Sequence, residues 1–419
     1  MIESIPKIPK RILMLPSAIA RSHLTRLVLI ALELQHQGAE VAFAFPENNQ
    51  ILQHYNFQFF PVADAVVTDF SSNVFDAYTP SLIEQCVKDE LKAIEAFKPD
   101  AIIGDFRLTA AISSKIAKIP YISVVNGYMT DYFDSVDVMI PKQTRPVEHK
   151  IASIAARAIQ RSEKRTLATH FREIAQKHRP KKLVSLYDFL TGDLTLIADL
   201  PEFCPLENWP PNFRYIGPLI WEGLNGTADY LKDFDSSKQI IYATTGNTGK
   251  ETFIQLVIDA FRNDPNREVV LTTGAFIHPD AVPKISHIHV ARFIPGSEIL
   301  KQSQAVIHCG GNGTTYQAMS QGVPAVVIPF NNDQTINAWL IKRHKVGIPL
   351  SISELTGDQV KLAVNKAIAD IDMQKNLQHF KEILTKTNGS KSAADEISTF
   401  LGGQEDERDR AHMVNWTTP

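Results

Sequence analysis

The stretch Ala305-Val306-Ile307-His308-Cys309-Gly310-Gly311-Asn312-Gly313-Thr314-Thr315 passes from an apolar run through three glycines into a helical pattern. A short, uniformly apolar run suits a parallel strand covered on both faces. The glycines behind it let backbone N–H groups come close to a ligand. The N-terminus of the helix that follows carries partial positive charge suited to a diphosphate. His308 at the strand end and the Thr314 hydroxyl add side-chain donors at the same place. Without a ligand, the same residues make a tight strand-to-helix turn, for which glycine is equally apt. Two other phosphate motifs do not fit the letters. A dinucleotide fingerprint needs a third glycine where Tyr316 stands. Around Gly249-Lys250, a nucleotide-triphosphatase loop would need glycine in place of Thr244 and Ser/Thr in place of Glu251.

Outward from this loop, strands alternate with helices. Strand patterns cover 239–243, 268–271, 287–292, 305–308 and 325–328, and helical patterns cover 252–261, 314–321 and 334–345. The N-terminal half repeats the scheme with a strand at 11–15, a helix at 24–37 closed by Gly38, and a strand at 41–45. It continues with a strand at 101–104, a helix at 108–117 and strands at 121–125, 194–198 and 213–216. The expected fold class is α/β, with two tandem doubly wound, Rossmann-like domains. Residues 1–217 make the first, 218–238 a polar linker, and 239–402 the second, with the last helix free to pack back on the first. Residues 403–419 show no apolar period and read as a mobile tail.

At 419 residues the chain is long enough for two or three cores. Lys+Arg number 43 against 46 Asp+Glu, a net charge of −3, which speaks against a general nucleic-acid coat. Cys86, Cys204 and Cys309 are too few and too far apart for a disulfide framework or a thiolate zinc site, and fit a reducing, cytoplasmic compartment. Pro16 breaks the short apolar run behind Lys7, Lys10 and Arg11, so no signal peptide is expected, and no apolar stretch approaches the ~20 residues of a membrane span. The charge is unevenly spread, because residues 143–182 hold eleven Lys/Arg and three Asp/Glu. A solvated helix face is the simplest reading of that stretch, and a weak peripheral contact with anionic lipid is the other.

Phe293-Ile294-Pro295, the loop from His308 to Thr314, Gln321-Gly322-Val323-Pro324 and Pro329-Phe330-Asn331-Asn332-Asp333-Gln334-x-x-Asn337-Ala338 follow one another in a telling order. Together they resemble the donor-binding signature of family 1 glycosyltransferases, in a bacterial-type variant. Phe213-Arg214-Tyr215-Ile216-Gly217-Pro218 is similar to the family's interdomain junction, so the resemblance spans nearly the whole chain. It implies a GT-B fold and a UDP- or TDP-sugar as co-substrate. It also implies that His308 contacts the diphosphate, with the backbone of Gly310, Gly311, Asn312, Gly313 and Thr314 around it. The loop containing Gly246, Asn247 and Thr248 would approach the phosphates from the other side, Phe293 would lie under the nucleobase, and Asp333 and Gln334 would bond to sugar hydroxyls. Two positions depart from the pattern. Gln317 stands where relatives commonly carry a ribose-binding Glu, and Gly296 follows Pro295 where plant relatives have Gln. Asp333-Gln334 leans towards UDP-glucose, while Gln317 and Gly296 leave TDP-deoxysugars open.

Transfer of a sugar to a hydroxyl requires the acceptor oxygen to lose its proton, and a histidine titrates in the right range to take it. The resemblance places this base at His23 and its supporting carboxylate at Asp105. From position alone, the first is a polar residue at a helix start and the second a helix N-cap. No metal is expected, because the Asp370-Ile371-Asp372 pair lies in a helical stretch where the two carboxylates diverge. Tyr128, Tyr132 and Phe133 are candidates to line an acceptor pocket for a small hydrophobic compound such as a flavonoid or polyketide, although aromatic residues are more often core. The expected activity is that of an inverting glycosyltransferase. A nucleotide-sugar-binding protein without transferase activity and a GT-B nucleotide-sugar epimerase are the alternatives.

Overall fold

The computed structural model describes residues 10–65, 67, 74–134, 138, 155, 159, 162–178, 183–224, 237–246, 250–274 and 277–414, with side chains as far as Gly403. The chain divides into two compact units. Among the described residues, the first comprises those up to Leu219 and again from Asn388, and the second comprises Ile220–Thr387.

The first unit is built on a seven-stranded parallel sheet: β1 (Arg11–Pro16), β2 (Glu40–Phe45), β3 (Gln58–Pro61), β4 (Ala101–Asp105), β5 (Tyr121–Val125), β6 (Leu194–Ile197) and β7 (Phe213–Tyr215). The strand order is β3-β2-β1-β4-β5-β6-β7. Ile12, Leu13, Met14, Ile102 and Ile103 are fully buried, as strands covered on both faces require. The winding reverses between β1 and β4, whose last register pair is Pro16 with Asp105. Loops at the carboxyl ends of these two strands therefore face each other across a topological switch point, where α/β sheets bind ligands.

The second unit repeats the plan with six parallel strands: β8 (Gln239–Thr244), β9 (Arg267–Thr272), β10 (Ile288–Ala291), β11 (Ser303–His308), β12 (Ala325–Val327) and β13 (Gly347–Pro349), in the order β10-β9-β8-β11-β12-β13. Its switch point lies between β8 and β11, where Thr244 pairs with His308.

Two short edge strands, β3 and β13, are absent from the sequence reading because neither is a continuous apolar run. The C-terminal end also differs from the sequence reading. A helix spans Gly389–Val414, so the stretch from 403 onward is helical as far as Val414. This helix packs against the helix Arg21–His36 of the first unit and buries Ala393, Ala394 and Ile397. Gln37 donates to Asp395 Oδ1 and accepts from Ser398 Oγ, both at 2.8 Å. Asp370 is the N-cap of the helix Ile371–Thr385 and accepts from the Met373 N–H, so one member of the Asp-x-Asp pair is occupied with a helix end. Of the basic stretch 143–182, the helix Thr169–Lys177 buries Phe171, Ile174 and Ala175, and much of the remainder lies outside the described residues. Among the described residues, no helix is long and apolar enough to cross a membrane.

Candidate active site

At the switch point of the first unit, β1 ends at Pro16 and the chain enters the helix Arg21–His36 through a pinned loop. The Ser17 N–H donates to the Asp105 carbonyl at 3.0 Å, and the Ala18 N–H donates to Asp64 Oδ2 at 2.6 Å. Asp64 is itself held by Arg107, whose Nη1 lies 2.7 Å from Asp64 Oδ2 and whose Nε donates to Glu90 Oε1 at 2.7 Å. These three charged residues are buried together. A loop fixed in this way presents the first turn of its helix, and His23, in a defined position.

His23 is buried, with Nδ1 2.7 Å from Asp105 Oδ1. A carboxylate at that distance accepts the Nδ1 proton and leaves the lone pair on Nε2. Phe106, which follows Asp105, adopts a left-handed φ of 53°, uncommon for a non-glycine residue. Its ring stacks on the His23 imidazole with centroids 5.2 Å apart and planes 9° from parallel. Arg26 also binds Asp105, through Nε to Oδ2 at 2.7 Å and Nη2 to Oδ1 at 2.5 Å. Burial opposes the charge on Arg26, but the adjacent Asp105 carboxylate more than offsets this and its pKa is raised.

The switch point of the second unit is arranged differently. The Gly310 N–H donates to His308 Nδ1 at 3.0 Å, so Nδ1 is the acceptor and the ring proton resides on Nε2. Burial pushes the His308 pKa down to about 3, and the ring is neutral. Nε2 is buried and finds no partner among the described residues. A buried N–H of this kind calls for an acceptor oxygen. Gly310 has φ +91°, and a Cβ there would lie 2.9 Å from the Gln334 carbonyl oxygen, so the turn requires glycine. Asn337 Nδ2 donates to the Gly310 carbonyl at 2.9 Å and fixes the peptide orientation. Gly311 caps the helix Asn312–Gln321 and makes no side-chain cap bond, leaving first-turn N–H groups for a ligand.

Residues 256–397 match the family described as Erythromycin biosynthesis protein CIII-like, C-terminal domain. A PGL/p-HBAD biosynthesis glycosyltransferase of Mycobacterium tuberculosis (strain H37Ra) is 28% identical over 387 residues, covering 89% of this chain and 88% of the relative. A PGL/p-HBAD biosynthesis rhamnosyltransferase of Mycobacterium bovis (strain BCG) is 28% identical over 373 residues, covering 86% and 81%. Among solved structures, the glycotransferase of kitacinnamycin matches with a TM-score of 0.71 at 20% identity, covering 93% of this chain and 98% of that one. Along most of its length the chain is similar to bacterial glycosyltransferases.

Its two Rossmann-like units are those of the GT-B fold. The two departures from the family's donor-binding pattern meet each other. Gln317 Nε2 donates to the Trp221 carbonyl at 2.9 Å, and a Cβ on residue 296 would lie 2.7 Å from Gln317 Oε1. Glycine at 296 thus makes room for the Gln317 amide, which is engaged with backbone. Asp333 is exposed in the first turn of the helix Asn332–Arg343, whereas Gln334 is buried and its Oε1 accepts from the Phe330 N–H at 2.8 Å. Phe293 is 44% exposed and so is not core. Gly246 lies two residues past the end of β8, its N–H donating to Thr244 Oγ1 at 3.1 Å, while Asn247 and Thr248 lie outside the described residues.

The three aromatics expected beside the acceptor part company. Tyr128 sits on the turn Gly127–Met129, close enough to Arg26 to act on its charge. Tyr132 packs edge-on against Phe213 at 5.1 Å, and Phe133 is buried. Arg26 and Asn126 carry no role in the sequence reading, and Asn337 enters it only as a member of the donor-binding motif. The available signal for Arg26 was its place three residues after His23, on the same helix face in an otherwise apolar stretch.

Proposed function

We propose that this glycosyltransferase moves a sugar, with inversion and without a metal, from a nucleoside diphosphate to a hydroxyl of a small hydrophobic acceptor. The observation that carries the reading is the 2.7 Å contact between His23 and Asp105, which leaves Nε2 to act as base. As Nε2 takes the proton, the acceptor oxygen bonds to the anomeric carbon. The bond from that carbon to the diphosphate oxygen breaks, and one displacement inverts the centre. The His308 Nε2–H and the N–H groups of residues 311–314 meet the charge that grows on the departing diphosphate. Asp333 and Gln334 orient sugar hydroxyls, and Phe293 stacks under the base. The rhamnosyltransferase relative supports a TDP-activated deoxyhexose as the first donor to try, with UDP-glucose as its competitor. Tyr128 supports an aromatic or polyketide acceptor, flavonoids included.

The test incubates the enzyme with TDP-rhamnose or UDP-glucose, with and without a panel of phenolic and polyketide alcohols, and follows nucleoside diphosphate release and product anomer. Release only with acceptor, and a product anomer opposite to that of the donor, is expected. A donor altered without acceptor would make the protein an epimerase. Donor binding with no consumption across the panel would make it a binding protein.

A further inference from the structure

The His23–Asp105 pair is not closed. Arg26, one turn along the same helix and 6% exposed, grips the same carboxylate through two nitrogens, and its Nη2 stands 3.4 Å from His23 Nδ1. Its third nitrogen, Nη1, donates to Asn126 Oδ1 at 2.8 Å. Asn126 Nδ2 donates in turn to Asp199 Oδ2 at 3.2 Å, and the same oxygen accepts the Gly127 N–H at 2.7 Å. Gly127 begins the turn that carries Tyr128. Hydrogen bonds therefore run unbroken from the imidazole through carboxylate, guanidinium, amide and second carboxylate to the turn.

An isolated histidine–carboxylate pair favours the imidazolium, because the full negative charge faces the ring. Here that charge is shared with a guanidinium that cannot lose its proton. We propose that Arg26 is a positioning residue of this transferase that also tunes its base. It fixes Asp105 and the acceptor-side turn relative to His23, and its charge keeps the imidazole unprotonated at a lower pH than Asp105 alone would allow. The inference rests on the reading of His23 as the base.

The other charged or titratable groups nearby add no positive charge at Asp105. Tyr121 of the adjacent strand β5 is buried beside Gly104 and its phenol pKa is raised, by burial first and by Asp105 among its neighbours, so it stays neutral. Asp199 and Tyr128 act on the Arg26 charge itself. Arg21, at the helix start, is exposed. The C-terminal helix contributes buried Ala393, Ala394 and Ile397, while its Asp395 and Glu396 engage Gln37 and Arg214. β4 contributes Asp105, and Phe106 covers the ring.

Two variants separate the roles. Arg26→Gln removes the charge and keeps a donor for Asp105, whereas Arg26→Lys keeps the charge and loses the planar fork. The readouts are the NMR titration of the His23 imidazole in the free protein, assigned by its loss in His23→Ala, and the pH dependence of kcat/KM. In Arg26→Gln, the titration midpoint and the acidic limb of the kcat/KM profile should both move up by about one pH unit or more, as removal of a charge at this range implies. In Arg26→Lys, the midpoint should stay while kcat falls about tenfold or more. An unmoved midpoint in folded Arg26→Gln overturns the tuning role, and a fully active Arg26→Lys overturns the positioning role. If Arg26→Gln does not fold, Arg26→Lys decides alone, since a moved midpoint with the charge retained contradicts the proposal. Failure of the underlying reading is distinct: His23→Ala would then turn over normally whatever the titration shows.

Discussion

Each unit places a histidine at its switch point, and the two are built for opposite ends. His23 meets a carboxylate at Nδ1, while His308 meets a backbone N–H there. The partner decides which nitrogen bears the proton, so His23 is left with a lone pair on Nε2 and His308 with an N–H. Around His23 the charges of Asp105 and Arg26 are gathered, whereas burial keeps His308 neutral, with its pKa pushed down to about 3. One topology thus presents a ring nitrogen with a lone pair at one switch point and a ring N–H at the other, the arrangement that the proposed proton transfer and anion binding would use. The choice is made by a single hydrogen-bond partner in each case.

The largest test of this contrast removes the base. His23→Ala should lower turnover by about 10²–10⁴-fold, the usual contribution of a positioned general base. The thermal shift produced by nucleoside diphosphate should be preserved, because the residues proposed to hold it lie in the other unit. Near-normal turnover would break the comparison by making both histidines binding groups.

A smaller effect is expected at His308, and it sharpens the contrast through pH. Folded His308 stays neutral down to about pH 3, while an unfolded histidine takes up its proton near ~6.5. Unfolding therefore binds a proton between those values. The stability that His308 contributes is complete above ~6.5 and lost as pH falls towards 3. Urea midpoints of the wild type should drop between pH 7 and pH 5 more steeply than those of His308→Gln. In the same variant, the Kd for nucleoside diphosphate should rise about ten- to a hundredfold, corresponding to the ~1.5–3 kcal/mol of a hydrogen bond to a charged group. A wild-type Kd that follows a His308-dependent protonation between pH 6 and 7 would contradict the neutral donor.

The sequence shows these two sites to different depths, for physical reasons. Strands such as β1 and β11 are legible because both faces are covered and their apolar runs are unbroken, whereas β3 and β13 are short edge strands with half-exposed residues. A last helix packing back on the first unit is legible, but its extent to Val414 is not, because the residues from 403 onward carry no apolar period. The glycine-rich loop after β11 is legible because its glycines, strand and helix are contiguous. Arg26 is not, since a charge among Leu24, Leu27 and Val28 gains its meaning from Asp105, 79 residues further along the chain. Tyr128 and Tyr132 look alike in sequence, and the packing of Tyr132 on Phe213 distinguishes them.

The smallest predicted effect tests how far the anion site extends. Phe293 is 44% exposed, so its ring contributes little to the core, and Phe293→Ala should leave the melting temperature of the unliganded protein nearly unchanged. If the ring stacks under a nucleobase, its loss should raise the Kd for TDP and UDP about three- to tenfold, in line with the ~0.5–1.5 kcal/mol of an aromatic pair. Both nucleotides should suffer alike, because stacking uses the face of the base and not its edge. Inorganic diphosphate, which has no base, should bind as before. Loss of diphosphate binding in parallel would mean that the substitution disturbs the turn next to Gly296 and Gln317. An unchanged Kd for TDP would confine the second unit's recognition to the phosphates around His308.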